Sequence, residues 1–325
     1  MTAPVLSVQV NPQWLDAASY LALLNRAFPG QWSRAAYDWY IARRFAGVGS
    51  DILVLTEGRR VLAGLALCHR EAIVGSSNRI RVRVICAAAT LPAERGRGHY
   101  GRLLTAARER CIEEDYVALL AFVTRDNIST RGLLNRRAHA IPSFYLTSVH
   151  RRPWNPSRLV SSPDARWTPL AADRHVRLDA REPNLAHDGG ASAGASCAPH
   201  ARFHYECADD WRRQFIDRPS HVRAIHLAHD CTALIETVGS TDRLQWLGCP
   251  RDKACHSVAT LAKASAAAGR EFFMYTLDPV LAVAANRARL RTRPGYFILW
   301  TTGPHPRQWN TLVNASWQLQ SGDRV

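Results

Sequence analysis

Lysine is nearly missing from this chain: Lys253 and Lys263 are two of the 42 basic residues, and the remaining 40 are arginine. Arginine presents a planar fork that grips phosphate or carboxylate at two points, which a lysine point charge does not. Long apolar runs are missing too. No stretch of about 18 apolar residues occurs, so no transmembrane span is expected. Met1 to Pro12 has no basic segment followed by an apolar core, so no secretory signal is read and a cytoplasmic location is expected. The eight cysteines are Cys68, Cys86, Cys111, Cys197, Cys207, Cys231, Cys249 and Cys255, and none forms a CxxC pair. That absence excludes the usual zinc ribbons and fits small reduced thiols in a core. A zinc site from Cys249, Cys255 and His256 would have unusual spacing and no second pair, so no metal is expected.

What is abundant is positive charge. The net charge is +15, with 42 basic against 27 acidic residues. Residues 1–150 hold 19 arginines against 11 acids, so the excess is spread over both halves and not held in a tail. A GC-rich genome explains arginine over lysine but not the excess over acids. A broad basic surface suits a large anion such as RNA, and equally an anionic cofactor. At 325 residues and 47% apolar content, two domains are the natural division.

The first half reads as alternating helix and strand. A helical pattern runs from Trp14 to Leu24, and a second helix is expected from a cap at Ser33 to Gly47. Strands are expected at Ile52–Thr56 and Val61–Val74, joined at Glu57-Gly58-Arg59-Arg60, and again at Arg79–Leu91. A Gly-rich turn, a helix near Gly101–Ile112, a strand at Val117–Thr124, a short helix at Thr130–Ala138 and a strand at Phe144–Val149 complete it. Prolines and the low-complexity run Gly189 to Ser196 mark residues 151–204 as a connector with a flexible loop. Residues 205–325 repeat the order of the first half: helix, hairpin, helix, strand, helix, strand. Two copies of one fold are therefore expected, the second degenerate.

The chemistry centres on residues 91–104, Leu-Pro-Ala-Glu-Arg-Gly-Arg-Gly-His-Tyr-Gly-Arg-Leu-Leu. A strand of small residues feeds this loop and an amphipathic helix leaves it. Glycines let successive backbone N–H groups turn inward at the positive end of the helix, where Arg95, Arg97 and Arg102 add charge. A diphosphate or similar anion is the ligand this calls for.

In that setting the loop resembles the central motif of the GNAT acyltransferases, Arg/Gln-x-x-Gly-x-Gly/Ala. Arg95 and Gly98 match its first two fixed positions, while Tyr100 stands where Gly or Ala is usual. The resemblance implies a mixed, mostly antiparallel sheet flanked by helices, an α+β fold, for the domain at residues 1–150, where it covers about residues 10–150; the second tandem copy, residues 205–325, is similar in strand order only. The resemblance also implies acetyl-CoA or another acyl-CoA as co-substrate. The pyrophosphate would lie on Arg95, Gly96, Arg97, Gly98, His99, Tyr100 and Gly101, with Ala88, Ala89 and Thr90 offering strand backbone to the pantetheine. Asn127 matches an Asn that follows strand five in the family. Leu134 falls where the family has a Tyr that protonates the leaving thiolate, and Ala138-His139 replaces Gly-Phe. Tyr145 and Tyr100 are the nearest substitutes. The second copy, at Gly248 to Lys253, lacks the glycine pattern, and no cofactor is expected there.

Acyl transfer to an amine also needs a proton acceptor. The fourth strand has no carboxylate, which leaves Glu71 and His69 on one face of the preceding strand, and His139. A solvated strand end and an ordinary surface or core histidine explain these residues as well. Arg79, Arg81 and Arg83 share a strand face, and Arg131, Asn135 and Arg136 a helix face; each set reads as a solvated face or as a phosphate-contacting stripe. Three functions stay open. One is transfer from an acyl-CoA to a small-molecule or peptide amine. Another uses aminoacyl-tRNA as donor, as in the peptidoglycan-branching transferases, with tRNA bound on the basic surface. The third is a non-catalytic module binding nucleic acid or protein. No membrane partner is expected.

Overall fold

A computed structural model describes residues 6–29, 32–148, 165–168, 199–227 and 231–324. Most of the connector, including its low-complexity run, lies outside the described residues.

The chain begins with strand β1 (Leu6–Val10) and helix α1 (Ala17–Ala27). Asp16 caps α1, its side chain accepting from Ser19 N at 2.7 Å, and Tyr20, Leu23, Leu24 and Ala27 form its buried stripe. Ser33 caps α2 (Arg34–Tyr37) as expected, but the α-helix lasts one turn and passes into a π-helical turn, Asp38–Ala42. Strands β2 (Asp51–Glu57), β3 (Arg60–Val74) and β4 (Asn78–Thr90) form an antiparallel meander. Helix α3 (His99–Glu113) crosses to β5 (Ala118–Thr124), which runs parallel to β4. Then come α4 (Ile128–Leu134) and β6 (His139–Thr147).

Two short strands follow, β7 (Ala165–Thr168) and β8 (His200–Phe203). The second half repeats the plan with α5 (Ala208–Phe215), the meander β9 (Val222–Leu227), β10 (Cys231–Val238) and β11 (Thr241–Gly248), then α6 (Arg251–Ala267), β12 (Glu271–Thr276), α7 (Pro279–Arg287) and β13 (Arg291–Thr301). Helix α8 (Pro306–Val313) and β14 (Ser316–Trp317) lead into a closing turn, Ser321–Asp323. In the second half β11 and β12 are parallel, as β4 and β5 are in the first.

The halves share one sheet, in the order β1-β2-β3-β4-β5-β13-β6-β12-β11-β10-β9-β7. Each half sends its last strand to the other. β13 lies against β5, β6 lies against β12, and β6 and β13 pair antiparallel between them. This exchange is invisible in the linear order of elements, because strands that look alike locally can be traded without changing any hydrophobic pattern. One apolar cluster, beneath α1 and α2, runs from Leu24, Val54 and Cys86 across to Tyr145, Tyr275 and Phe297. The opposite face packs α3 through Leu103, Leu104 and Ala107, and the second half packs α6 and α7 through Val258, Leu261 and Ala285.

Of the three arginines on one face of β4, Arg83 is taken up by the protein, while Arg79 and Arg81 stay exposed. Arg83 is 2% exposed and pairs with Asp51 at 3.2 Å and Glu114 at 2.5 Å. Arg79 meets Glu71 at 3.7 Å, and the Arg81 guanidinium lies 4.4 Å from the Tyr116 ring centroid. Arg136 is likewise occupied, donating to the carbonyls of Gly132 and Gly101.

Candidate active site

Pairing between β4 and β5 covers only Val82–Val84 against Ala118–Leu120. Beyond it the strands separate, and a gap opens between the ends of both. The cause lies in β4. Its register on β3 shifts between Gly64 and Ala66, and Ala87 takes the left-handed value φ 48°. The Tyr20 hydroxyl of α1 donates to the Ala87 carbonyl at 3.1 Å and holds this bulge. Past it, Leu91 N donates to Leu62 O, so strand alternation turns the backbone of Ala88 and Thr90 away from β3 and toward the gap. Tyr20 reaches Ala87 because position 64 is glycine: a Cβ there would lie 2.6 Å from Tyr20 Cε2. Gly64→Ala is expected to cost about 1–3 kcal/mol by overpacking. It should also shift the bulge and lower the melting temperature. A normal melt would contradict this.

The loop between β4 and α3 opens on the same gap. Gly96 and Gly98 have φ 80° and 77°, values that favour glycine. Gly98 caps α3, and no side chain caps the helix. None of the amides from Gly96 to Gly101 donates to a protein acceptor among the described residues, although Arg95 N and Arg102 N on either side do. A row of open amides at a helix start is an anion cradle.

The arginines divide their work. Arg95 donates to Ala27 O at 3.1 Å and Thr90 O at 3.4 Å, tying the loop to the end of α1. Arg97 turns back to Glu94 at 3.0 Å. Arg102 is exposed in the first turn of α3 with no acidic partner among the described residues, so it is free to meet an anion. Glu94, 6% exposed, also accepts from Arg60 at 3.0 Å and lies 3.5 Å from His99 Nε2. This buried carboxylate anchors the loop, and sequence reasoning missed it because an acid beside an anion-binding loop looks out of place. Tyr100 packs on α4: a Cβ on Gly132 would lie 3.5 Å from its ring. Gly132 thus makes room for the residue that departs from the family pattern, and burial raises the Tyr100 phenol above its ordinary pKa. Asn127 serves as the cap of α4, its side chain accepting from Ser129 N at 3.0 Å.

The residues singled out as catalytic are spread out. Tyr145 lies on β6, with β13 between it and β5. It pairs with Arg293, two residues before Gly295, and its ring covers Gly295 beside Val123. The Tyr145 hydroxyl is buried with no hydrogen-bond partner, and burial raises its pKa. Glu71 lies opposite Arg81, eight residues along β3 from the Ala63–Thr90 pair, a distance of roughly 26 Å at strand rise. His139, exposed, pairs with Leu299, which pairs with Leu120 where β4 and β5 are still joined. The structure therefore does not bring Glu71 or His139 to the gap, and Tyr145 lies on β6, separated from β5 by β13.

His69 shares its strand face with Glu71 and donates to or accepts from the Tyr116 hydroxyl at 3.0 Å. Burial, then the charges of Arg83, Arg81 and Arg70, bring its pKa down from 6.5 to about 4. Between these values the folded chain binds fewer protons than the unfolded one. His69 therefore contributes stability that is complete above pH 6.5 and lost as the pH falls toward 4. His69→Gln should flatten that acid limb in melts recorded from pH 7 to 4; an unchanged slope would contradict the assignment.

In the second half the equivalent opening is filled by the chain itself. The Gln320 side chain accepts from Leu247 N at 2.7 Å and donates to Leu247 O at 3.3 Å. Its backbone bridges Thr276 of β12, and Ser321 Oγ accepts from Tyr275 N at 2.7 Å. No cluster able to hold a metal occurs among the described residues, Cys249, Cys255 and His256 included. No helix among them is long and apolar enough to cross a membrane.

Residues 15–125, which carry the gap and the loop, match the family model of the acetyltransferase (GNAT) domain. No curated protein matches the chain in sequence. Among solved structures, the fold is similar to that of a tandem GNAT protein from the clavulanic acid biosynthesis pathway, at 15% identity and TM-score 0.57, covering 92% of this chain and 99% of that one. It is also similar to GCN5-related N-acetyltransferases from Anabaena variabilis ATCC 29413 (11% identity, TM-score 0.56, 92% and 73% covered) and Sphaerobacter thermophilus (11%, 0.54, 92% and 96%). At these identities the structural likeness speaks for the fold, and the family match speaks for the first half. The chain thus carries a match to the acetyltransferase (GNAT) domain over residues 15–125, and as a whole it has the tandem GNAT fold.

Proposed function

We propose that this chain transfers an acyl group, acetyl foremost, from an acyl-CoA to a primary amine at the opening between β4 and β5. The observation that carries the reading is the row of unpartnered amides from Gly96 to Gly101 beside a gap edged by free strand backbone. Those amides and Arg102 bind the pyrophosphate, and the backbone of Ala88 and Thr90 pairs with the pantetheine. The bound co-substrate supplies an activated thioester carbonyl, which a strand N–H polarises. The amine forms the new C–N bond as the C–S bond breaks. The proton for the departing sulfur is assigned to Tyr145, whose buried hydroxyl has no protein partner among the described residues, and the proton lost by the amine passes to solvent.

Incubation with acetyl-CoA and a panel of primary amines should release free thiol in proportion to amine; no release with any amine would contradict the proposal. Arg102→Ala should raise the KM for acetyl-CoA by about threefold to tenfold, since one exposed charge-assisted contact is lost, with kcat nearly unchanged. An unchanged KM would remove Arg102 from the donor site.

The aminoacyl-tRNA reading keeps the fold and rests on the net charge of +15. On β4, Arg83 is buried and adds nothing to a basic surface, whereas Arg79 and Arg81 remain exposed. The reading predicts tRNA binding that falls steeply with salt, and no retardation of tRNA at low salt would remove it.

A further inference from the structure

On the face of the sheet that carries Tyr145, a cavity of about 310 Å³ lies between the two halves. Tyr40 borders it from the first half, and Arg243, Glu271 and Phe273 border it from β11 and β12, with Arg218 and Arg324 completing the wall. Along β11, Arg243 alternates with the buried Asp242 and Leu244, so its side chain is committed to the cavity side.

Two of the three guanidinium groups have no acid. Arg218 pairs with Glu236 at 3.2 Å. Arg243 and Arg324 have no carboxylate within ion-pair distance among the described residues. Arg324 is held over aromatic rings, 4.8 Å from the Tyr145 centroid and 5.4 Å from that of Tyr275. Its Nε is buried without an acceptor. Aromatic faces steady a guanidinium but accept none of its hydrogen bonds in the plane, so the fork stays available. A fixed, half-buried fork beside a second unpaired arginine is chemistry for a compact oxyanion.

The Tyr40 wall of this cavity touches the β4 border of the β4–β5 gap. The Tyr40 carbonyl lies 3.7 Å from Cys86 Sγ, one residue before the bulge at Ala87. On the side of β5, the Tyr145 ring lies beneath Arg324 and over Gly295 of β13, which pairs with Thr124 at the end of β5.

We infer that this cavity is the acceptor subsite, and that the acceptor is an amine bearing a carboxylate or phosphate group, bound through Arg243 and Arg324. The inference rests on the acyltransferase reading for the word acceptor, while the anion site itself stands on the arginines alone. Calorimetric titration of the full chain with glutarate, inorganic phosphate and the neutral glutaramide, without acyl donor, tests it. One or both anions should bind, glutaramide at least tenfold more weakly, and Arg243→Gln and Arg324→Gln should each weaken the anion at least tenfold. Glutarate alone would mark a carboxylate acceptor, phosphate alone a phosphorylated one. Arg243→Lys, which keeps the charge without the fork, should fall between the native chain and Arg243→Gln. Equal binding of glutaramide, binding of neither anion, or native affinity in both glutamine variants would overturn the inference. Acetyl-CoA binding, measured on the same variants, should be unchanged. A failure of the donor reading would therefore show as a separate result.

Discussion

A Gly98→Val chain is expected to lose acetyl-CoA binding almost completely while remaining folded. Gly98 holds φ 77°, which a β-branched residue adopts only with strain of about 1–3 kcal/mol. The strain falls on the residue whose neighbouring amides are open, so the chain will relieve it by turning those amides away. Each charge-assisted hydrogen bond lost is worth roughly 1.5–3 kcal/mol, and losing two would raise the donor Kd by about 100-fold or more. No protein atom lies within 4 Å of a Cβ at this position, so the effect is local and not a core clash. Calorimetry with acetyl-CoA, beside a thermal melt, reads both quantities. Near-native affinity in a folded Gly98→Val chain would mean that the amides do not hold the donor.

The second large effect is on stability. Asp242 is fully buried on β11 and accepts from Thr237 at 2.8 Å, Ser265 at 2.8 Å, Arg270 at 3.0 Å and Arg223 at 3.0 Å. Burial pushes its carboxyl up, but these hydrogen bonds and the Arg223 charge outweigh it and leave the pKa below the ordinary 3.8. Asp242→Ala strands a buried hydroxyl and two arginines, at a cost of roughly 3–5 kcal/mol. Because β13 belongs to the second half and lies against β5, the damage should not stay in the second half. Tm is expected to fall by about 5 °C or more, and donor binding and secondary structure should be lost in one coincident transition. Two separate transitions, with the first half surviving alone, would contradict the shared sheet. The wild-type carboxylate contributes stability that is present above pH 3.8 and lost as the pH falls through its lowered folded value.

The element order from α1 to β6 and from α5 to β13 was legible because each of these elements carries its own local signal, whereas β1, β7, β8, α8 and β14 were not expected. Asp278 caps α7 through Val280 N, Ser33 caps α2, and Gly58 turns the β2–β3 hairpin with φ 60°. The loop was legible for the same reason, since glycine at positive φ and a helix start are written in adjacent residues. What stayed hidden depends on contacts far apart in the chain. Tyr20 reads only as a helix-stripe aromatic until the shift at Gly64 brings Ala87 within its reach. The fate of Arg83 depends on Asp51 and Glu114, from two other elements. Glu71 and His139 are acceptable bases by residue type, and only strand register shows how far along the sheet they lie from the gap. The tail that fills the β11–β12 opening lies some 70 residues from Leu247, with no motif to announce it.

The most direct measurement is the crystal structure of the chain soaked with acetyl-CoA. The pyrophosphate oxygens should lie within about 2.7–3.1 Å of backbone nitrogens between Gly96 and Gly101, with the pantetheine alongside Ala88 and Thr90. A co-substrate seated elsewhere, or a β4–β5 gap that stays empty at saturating acetyl-CoA, would contradict the account.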